Sequence, residues 1–376
     1  MRYPEFLKKN GKIGFIAPSF GCATEPYSLL FEKAKERFRA WGYDLVEGPN
    51  CSVSLGIGKS NSPQACGREI NDFFINDRSD VIISCGGGET MCEDLPYVDF
   101  DAISKAKSKW YLGYSDNTNL TFTLPVLCDT AAIYGPCVSD FGMEPLHRSV
   151  EDAFKLMTGE LKSIGNYDGW EIDELKSEED PYAPYNATEK FNMRIFKGGK
   201  ELSPEKDLND LSEKSNEISE NTNDGFKPGT DSAVCFEGRL IGGCLDCLVN
   251  LIGTPFDKTK EFCEKYKEDG IIWFIESCDL NTMDCRRAIW QLEQAGWFRY
   301  VKGFLIGRPL QYYDRFIDYT IHDSYVDMLA KYDVPVLMDV DLGHLPPMMP
   351  IVSGAKAKVT ATVKDQPSLK IDYDYT

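Results

Sequence analysis

Few residues in this chain have the type and placement to do chemistry. Ser115 ends an apolar, aromatic run in "WYLGYSDNTNL" (110–120), and polar, helix-starting residues follow it. A serine at such a junction can cap a helix, or it can display its hydroxyl as a nucleophile at a strand-to-helix turn. A serine nucleophile needs a base, and histidine is the usual one. The chain has three histidines. His147, in "FGMEPLHRSVED", stands just before a helical pattern and reads as a surface or capping residue. His322, in "FIDYTIHDSYVDMLAKY", lies inside a helical pattern and reads as structural. His344 follows an apolar strand in "VLMDVDLGHLPPMMP", with Gly343 before it and two prolines after it. That is a rigid loop at a strand end, where functional side chains are usually mounted. Glu276 ends the apolar run "IIWFIE", and a carboxylate there is costly to bury unless it is paired. It could orient an imidazole, cap the next loop, or pair with Arg286 or Arg287. The residues alone leave these readings open.

The elements that would position them follow a β-α-β rhythm. "KIGFIAP", "YDLVEG", "DVIISC", "WYLGY" and "AAIYGP" read as strands. "YSLLFEKAKERFRAWGY" reads as a helix with Leu29, Leu30, Ala34, Phe38 and Trp41 along one side and Gly42 as its stop. A second helix, "SPQACGREINDFFIND", has Pro63 near its start. The pattern predicts an α/β fold with a parallel sheet in the N-terminal part, covered by helices on both faces. Ligands in such sheets sit beyond the carboxyl ends of the strands, where both Gly86-Gly87-Gly88 and Ser115 fall. From Gly199 to Thr230 large apolar residues are sparse, which reads as a solvated insertion. Strands resume with "DSAVCFEGRLIGG", "GIIWFIES", "VKGFLIGRP" and "VPVLMDVD", and the tail alternates as a β-hairpin turning at Asp365-Gln366-Pro367. We divide the chain into a domain over 1–165 carrying Ser115, a linker and substrate-covering insertion over 166–231, and a mixed α/β domain with some antiparallel sheet over 232–376.

At 376 residues with 42% hydrophobic content, the chain reads as a soluble two-domain protein. It has no run of about eighteen apolar residues that would span a membrane, and its start does not read as a secretory signal. A cytoplasmic location is expected. A net charge of −19 excludes a nucleic-acid polymer as partner. Thirteen scattered cysteines read as reduced, buried thiols. Cys244-Leu245-Asp246-Cys247 lacks a second pair or nearby histidines, so it reads as two helix positions and not as a zinc site. Neither metal nor cofactor is expected.

These residues resemble the LD-carboxypeptidase family of serine peptidases, which includes microcin C immunity proteins. The resemblance runs nearly end to end, through "KIGFIAPS", "SCGGGETMCEDLPYVDFD", "KWYLGYSDNTNL", "EGRLIGGCLDCLVNLIGTPFD", "WFIESCDL", "GFLIGRP" and "MDVDLGHLPPMMPIVSGAKA". It implies a flavodoxin- or amidotransferase-like N-terminal domain and a triad of Ser115, Glu276 and His344 at a domain interface. It also implies a homodimer. The backbone N–H of Asp116 is a natural oxyanion donor, with a second from Gly86 or Gly87, where a side chain would obstruct close approach. The glycine and GYSD stretches look more like the microcin C immunity branch. There the resemblance implies a small peptide-like or peptidyl-nucleotide substrate and a covering loop with a base-stacking aromatic, for which Trp170 is the candidate. Glu89 and Thr90 are further candidate substrate contacts. Where many murein enzymes have Gly-Gly-Asn, this chain has Gly242-Gly243-Cys244. Competing readings are a murein tetrapeptide carboxypeptidase, a non-catalytic two-domain binding protein, and a cysteine amidotransferase-like enzyme using Cys85.

Overall fold

The computed structural model describes residues 1–202, 233–364 and 366–376. The C-terminal part of the expected insertion, 203–231, and Asp365 of the expected turn therefore lie outside the described residues. Two sheets organise the chain. The first has six strands in the order Ile351–Ser353, Ala132–Tyr134, Trp110–Gly113, Val81–Ser84, Lys12–Ile16, Asp44–Glu47. The last five are mutually parallel, as the β-α-β rhythm predicts. Val81–Ser84 and Trp110–Gly113 are buried throughout, which explains their unbroken apolar sequences.

Tyr27–Ala40 covers this sheet through Leu30, Phe31, Ala34 and Phe38. Leu29 and Trp41, expected on that inner side, are each 37% exposed, and Phe31 takes the inward position instead. Leu29 sits a residue off the buried stripe, and Trp41 lies past the last helical residue. Gly42 ends the helix at φ +88°, a left-handed conformation in which glycine is strain-free.

The second sheet has nine strands. Its centre is parallel: Val336–Val340, Val301–Gly307, Ile271–Glu276 and Ala233–Cys244. Lys356–Thr362 and Ser368–Asp374 add the expected tail hairpin, with alternating burial along both strands. Arg194–Lys197 pairs antiparallel with Val336–Val340, so part of the expected linker belongs to a sheet.

Two short strands tie the sheets together in a way the sequence pattern did not reveal. Ser163–Gly165 joins the edge of the second sheet, and Ile351–Ser353 closes the first, antiparallel to Ala132–Tyr134. One hydrophobic cluster runs through both, from Phe15, Ile83 and Leu112 to Leu240, Phe274 and Val340. Among the described residues no helix is long and apolar enough to cross a membrane. The parallel strands of both sheets deliver their carboxyl ends to one shared cleft.

Candidate active site

Ser115 follows Trp110–Gly113 by two residues and opens a short 3-10 turn, Ser115–Asn117. Its φ is +61°, a conformation that costs energy for a residue with a side chain and persists only where the surroundings enforce it. The enforcement is visible. Its N–H donates to Tyr134 Oη at 3.1 Å. Asn117 Nδ2 donates to the carbonyls of Gly86 and Tyr114, both at 2.9 Å. The Asp116 carboxylate accepts from Ser19 Oγ at 2.5 Å, Met91 N–H at 2.9 Å and Asn119 Nδ2 at 3.0 Å. Asp116 thereby pins the end of the first strand and the glycine loop to the serine turn. Gly87 lies against the serine itself, since a Cβ there would come within 3.0 Å of Ser115 Cβ. Gly86 has only ordinary clearance, its nearest neighbour being Phe20 at 3.5 Å.

Glu276 is the last residue of Ile271–Glu276 and has no exposed surface. It pairs with neither Arg286, which reaches Asp327, nor Arg287, which reaches Asp284. Its Oε2 meets His344 Nδ1 at 2.8 Å, and its Oε1 accepts from Tyr134 Oη at 2.5 Å. His344 Nε2 then lies 2.8 Å from Ser115 Oγ. Gly343, at φ +103°, lets this loop touch the acid, because a Cβ there would fall 2.8 Å from Glu276 Oε2. A hydroxyl, an imidazole and a carboxylate thus form a continuous hydrogen-bonded chain from two sheets. Such a chain can pass the hydroxyl proton to the ring as the oxygen attacks a carbonyl, while the carboxylate stabilises the charged ring.

Burial alone would lower the His344 pKa. The Glu276 charge, with hydrogen bonds to Cys278 and Glu276, outweighs it and raises the pKa well above the usual histidine value. Burial pushes Glu276 upward, but the His344 charge and hydrogen bonds from His344, Tyr134 and Cys244 prevail and hold it below the ordinary carboxylate value.

The cleft has two connected parts. One, of about 380 Å³, is bounded by Phe20, Tyr27, Gly86, Gly87, Tyr114, Ser115, Lys176 and His344. The other, of about 270 Å³, is bounded by Tyr114, Asp140, Glu171, Ile172, Glu174, Leu175, Lys176, Tyr185 and His344. The described part of the expected covering segment therefore reaches the cleft through 171–176 and 183–185. Trp170 does not line either part. It is 3% exposed, its Nε1 donates to the Lys190 carbonyl at 3.0 Å, and its ring lies under the Arg308 guanidinium. Glu89 is exposed near His344, its pKa raised by burial and by Asp279, Asp116 and Asp246. Thr90 is half-buried, and its carbonyl accepts from Lys59 Nζ at 3.1 Å.

His147 caps Arg148–Thr158, its Nδ1 accepting the Ser149 N–H, and His322 sits in Ile321–Leu329 against Asp339. Cys85 is 1% exposed and packs against Cys22 and Cys51. Burial raises its pKa well above the normal thiol range, so it is neither exposed nor ionised for attack. Cys244 departs from its expected helix position: it ends strand Ala233–Cys244, and only Cys247 is helical. The residue that sequence reasoning missed is Tyr134. Its signal was a polar-tipped aromatic closing "AAIYGP" at a strand's carboxyl end. Nothing in that run says which neighbouring sheet its hydroxyl will meet.

Residues 13–135 match the LD-carboxypeptidase N-terminal domain, and residues 237–359 match the LD-carboxypeptidase C-terminal domain. The chain is 23% identical over 353 residues to the microcin C7 self-immunity protein MccF of Escherichia coli, covering 92% of this chain and 90% of that one. It is 22% identical over 367 residues to a Bacillus subtilis protein named "Probable murein peptide carboxypeptidase", covering 96% and 92%. Among solved structures, MccF in complex with aspartyl sulfamoyl adenosine superposes with a TM-score of 0.74 at 21% identity. That match covers 100% of this chain and 99% of that one.

Proposed function

The chain belongs to the LD-carboxypeptidase family of peptidases, and from that premise we propose that it is a serine carboxypeptidase acting through Ser115, His344 and Glu276. The observation that carries this reading is the unbroken chain of 2.8 Å contacts from Glu276 through His344 to Ser115 Oγ. Ser115 Oγ attacks the scissile carbonyl as His344 Nε2 takes its proton. The tetrahedral oxyanion is received by the N–H of Asp116 and one from the glycine loop. The close approach at Gly87 favours that residue over Gly86. His344 returns the proton to the leaving amine, and water, activated by the same imidazole, releases the acyl group. Glu276 keeps the ring in the tautomer that presents Nε2 to the serine and stabilises its charged form.

The proposed substrate is a small peptide-like molecule of the microcin C type, a peptidyl nucleotide cleaved at the bond to its nucleotide part. Phe20, Tyr27, Tyr114 and Tyr185 line the cleft, and aromatic side chains there suit stacking on a base, the role foreseen for Trp170. Likeness to a nucleotide-analogue-bound MccF supports the same choice. A murein tetrapeptide is the second reading, supported by the similarity to the Bacillus subtilis protein.

The test is parallel hydrolysis by wild type and Ser115→Ala of a peptidyl sulfamoyl adenosine and a murein tetrapeptide, followed by mass spectrometry. Ser115-dependent cleavage of the first alone is the expected result. Cleavage of the tetrapeptide alone would transfer the protein to the murein reading. Hydrolysis that survives Ser115→Ala would remove the serine from its proposed role.

A further inference from the structure

Tyr134 closes strand Ala132–Tyr134 with its side chain fully buried, and its ring packs on Phe274 of the second sheet at 5.7 Å between centroids. Its hydroxyl lies between two groups that the mechanism needs in fixed relation. A phenol has one proton to donate, and an amide N–H can only donate. The directions are therefore forced: the Tyr134 proton goes to Glu276 Oε1 at 2.5 Å, and its oxygen accepts the Ser115 N–H at 3.1 Å. With the two 2.8 Å contacts of His344, this closes a ring: Ser115 N–H, Tyr134, Glu276, His344, and back to Ser115 Oγ.

We infer that Tyr134 is a positioning residue for the proposed hydrolysis, its hydroxyl locking the left-handed backbone of Ser115 to the Glu276 carboxylate across the two sheets. The inference rests on the proposed function and goes beyond it, because a Ser-His-Glu relay by itself requires no such hydroxyl.

Two consequences separate this role from core filling. Without the hydroxyl, Ser115 loses a bond that holds its φ of +61°, so the attacking oxygen is less well aimed. The second consequence concerns charge. A donor on Oε1 drains charge from Glu276; without it, the carboxylate holds the His344 proton more tightly. Tyr134→Phe keeps the ring packed on Phe274 and removes only the hydroxyl, so a residue that merely fills space would show neither effect.

The experiment uses the full chain and a fluorophosphonate that labels activated serines, so its readout does not depend on the natural substrate. Labelling of wild type but not of Ser115→Ala tests the proposed function first; without it, that reading fails and this inference falls with it. Given labelling, Tyr134→Phe should react on the order of 10- to 100-fold more slowly. Its acid limb should move to higher pH, because His344 must be neutral to accept the proton. Labelling within two-fold of wild type at an unmoved pH midpoint overturns the inference, as does a loss explained by the unfolded fraction in a thermal melt. Should Tyr134→Phe fail to fold, site-specific 3-fluorotyrosine at 134 replaces it. The more acidic phenol should strengthen the bond to Glu276 and move the acid limb to lower pH, and an unmoved limb overturns the inference.

Discussion

Asp116 and Glu276 are both buried carboxylates at the carboxyl end of a parallel strand, one in each sheet, yet they are stabilised in opposite ways. Asp116 takes its hydrogen bonds from neutral donors, the Ser19 hydroxyl, the Met91 N–H and the Asn119 amide, and burial leaves its pKa raised despite these bonds and the Lys59 charge. Glu276 faces His344 and is held below the ordinary carboxylate value. The difference shows what each sheet supplies. The first contributes backbone geometry: a serine forced to positive φ, a glycine loop drawn against it, and a carboxylate that acts as an anchor. The second contributes charge: a fully buried acid hydrogen-bonded to a mostly buried imidazole, where electrostatic interactions are less screened than at the surface.

That contrast can be tested from its strongest side downward. Glu276→Gln keeps the shape and removes the charge. We expect kcat to fall by about 10⁴-fold, as when an orienting carboxylate is made neutral. The pH profile carries the sign. Wild-type activity should rise with pH through a His344 midpoint above 6.5, because Glu276 raises that pKa and the ring must be neutral to accept the proton. In Glu276→Gln the midpoint should fall toward the ordinary histidine value, about 6.5. A midpoint unchanged by the substitution would mean that the charge of the second sheet does not govern the base.

Gly87→Ala tests the backbone side. The added methyl would press within 3.0 Å of Ser115 Cβ and 3.2 Å of its Oγ. We expect kcat to drop on the order of 10- to 100-fold by misplacement of the nucleophile, with the acid limb of the pH profile left in place. A moved limb would show that backbone and charge are not separable. Thr118→Val gives the smallest effect. Its Oγ1 accepts the Cys244 N–H at 2.9 Å, a buried stitch between the serine turn and the second sheet. Losing it should lower stability by about 1–2 kcal/mol in chemical denaturation.

The alternation of strands and helices in the first 134 residues, the four central strands of the second sheet and the tail hairpin were all legible, because each is written in local hydrophobic period. Ser115, Glu276 and His344 were legible as strand-end residues of the right types, and their assignment to one site came from resemblance across the whole chain. Trp170 was misjudged because a lone tryptophan in a polar stretch carries no sign of whether it will be covered. Here Arg308 stacks on it and the Lys190 carbonyl takes its N–H. The two strands exchanged between the sheets are three residues each, too short for their period to register.

What the sequence determined by itself is what short-range chemistry dictates: which runs become strands, which residues stand at their ends, and that a serine, a glutamate and a histidine were placed where side chains can act. What only the tertiary structure decided is how those ends meet. Ser115 and His344 are 229 positions apart and share a 2.8 Å contact. Tyr134 and Glu276, 142 positions apart, share one of 2.5 Å. Contacts at such separation arise because two sheets pack through one core and bring their carboxyl ends to the same cleft, and no local pattern of residues encodes that packing.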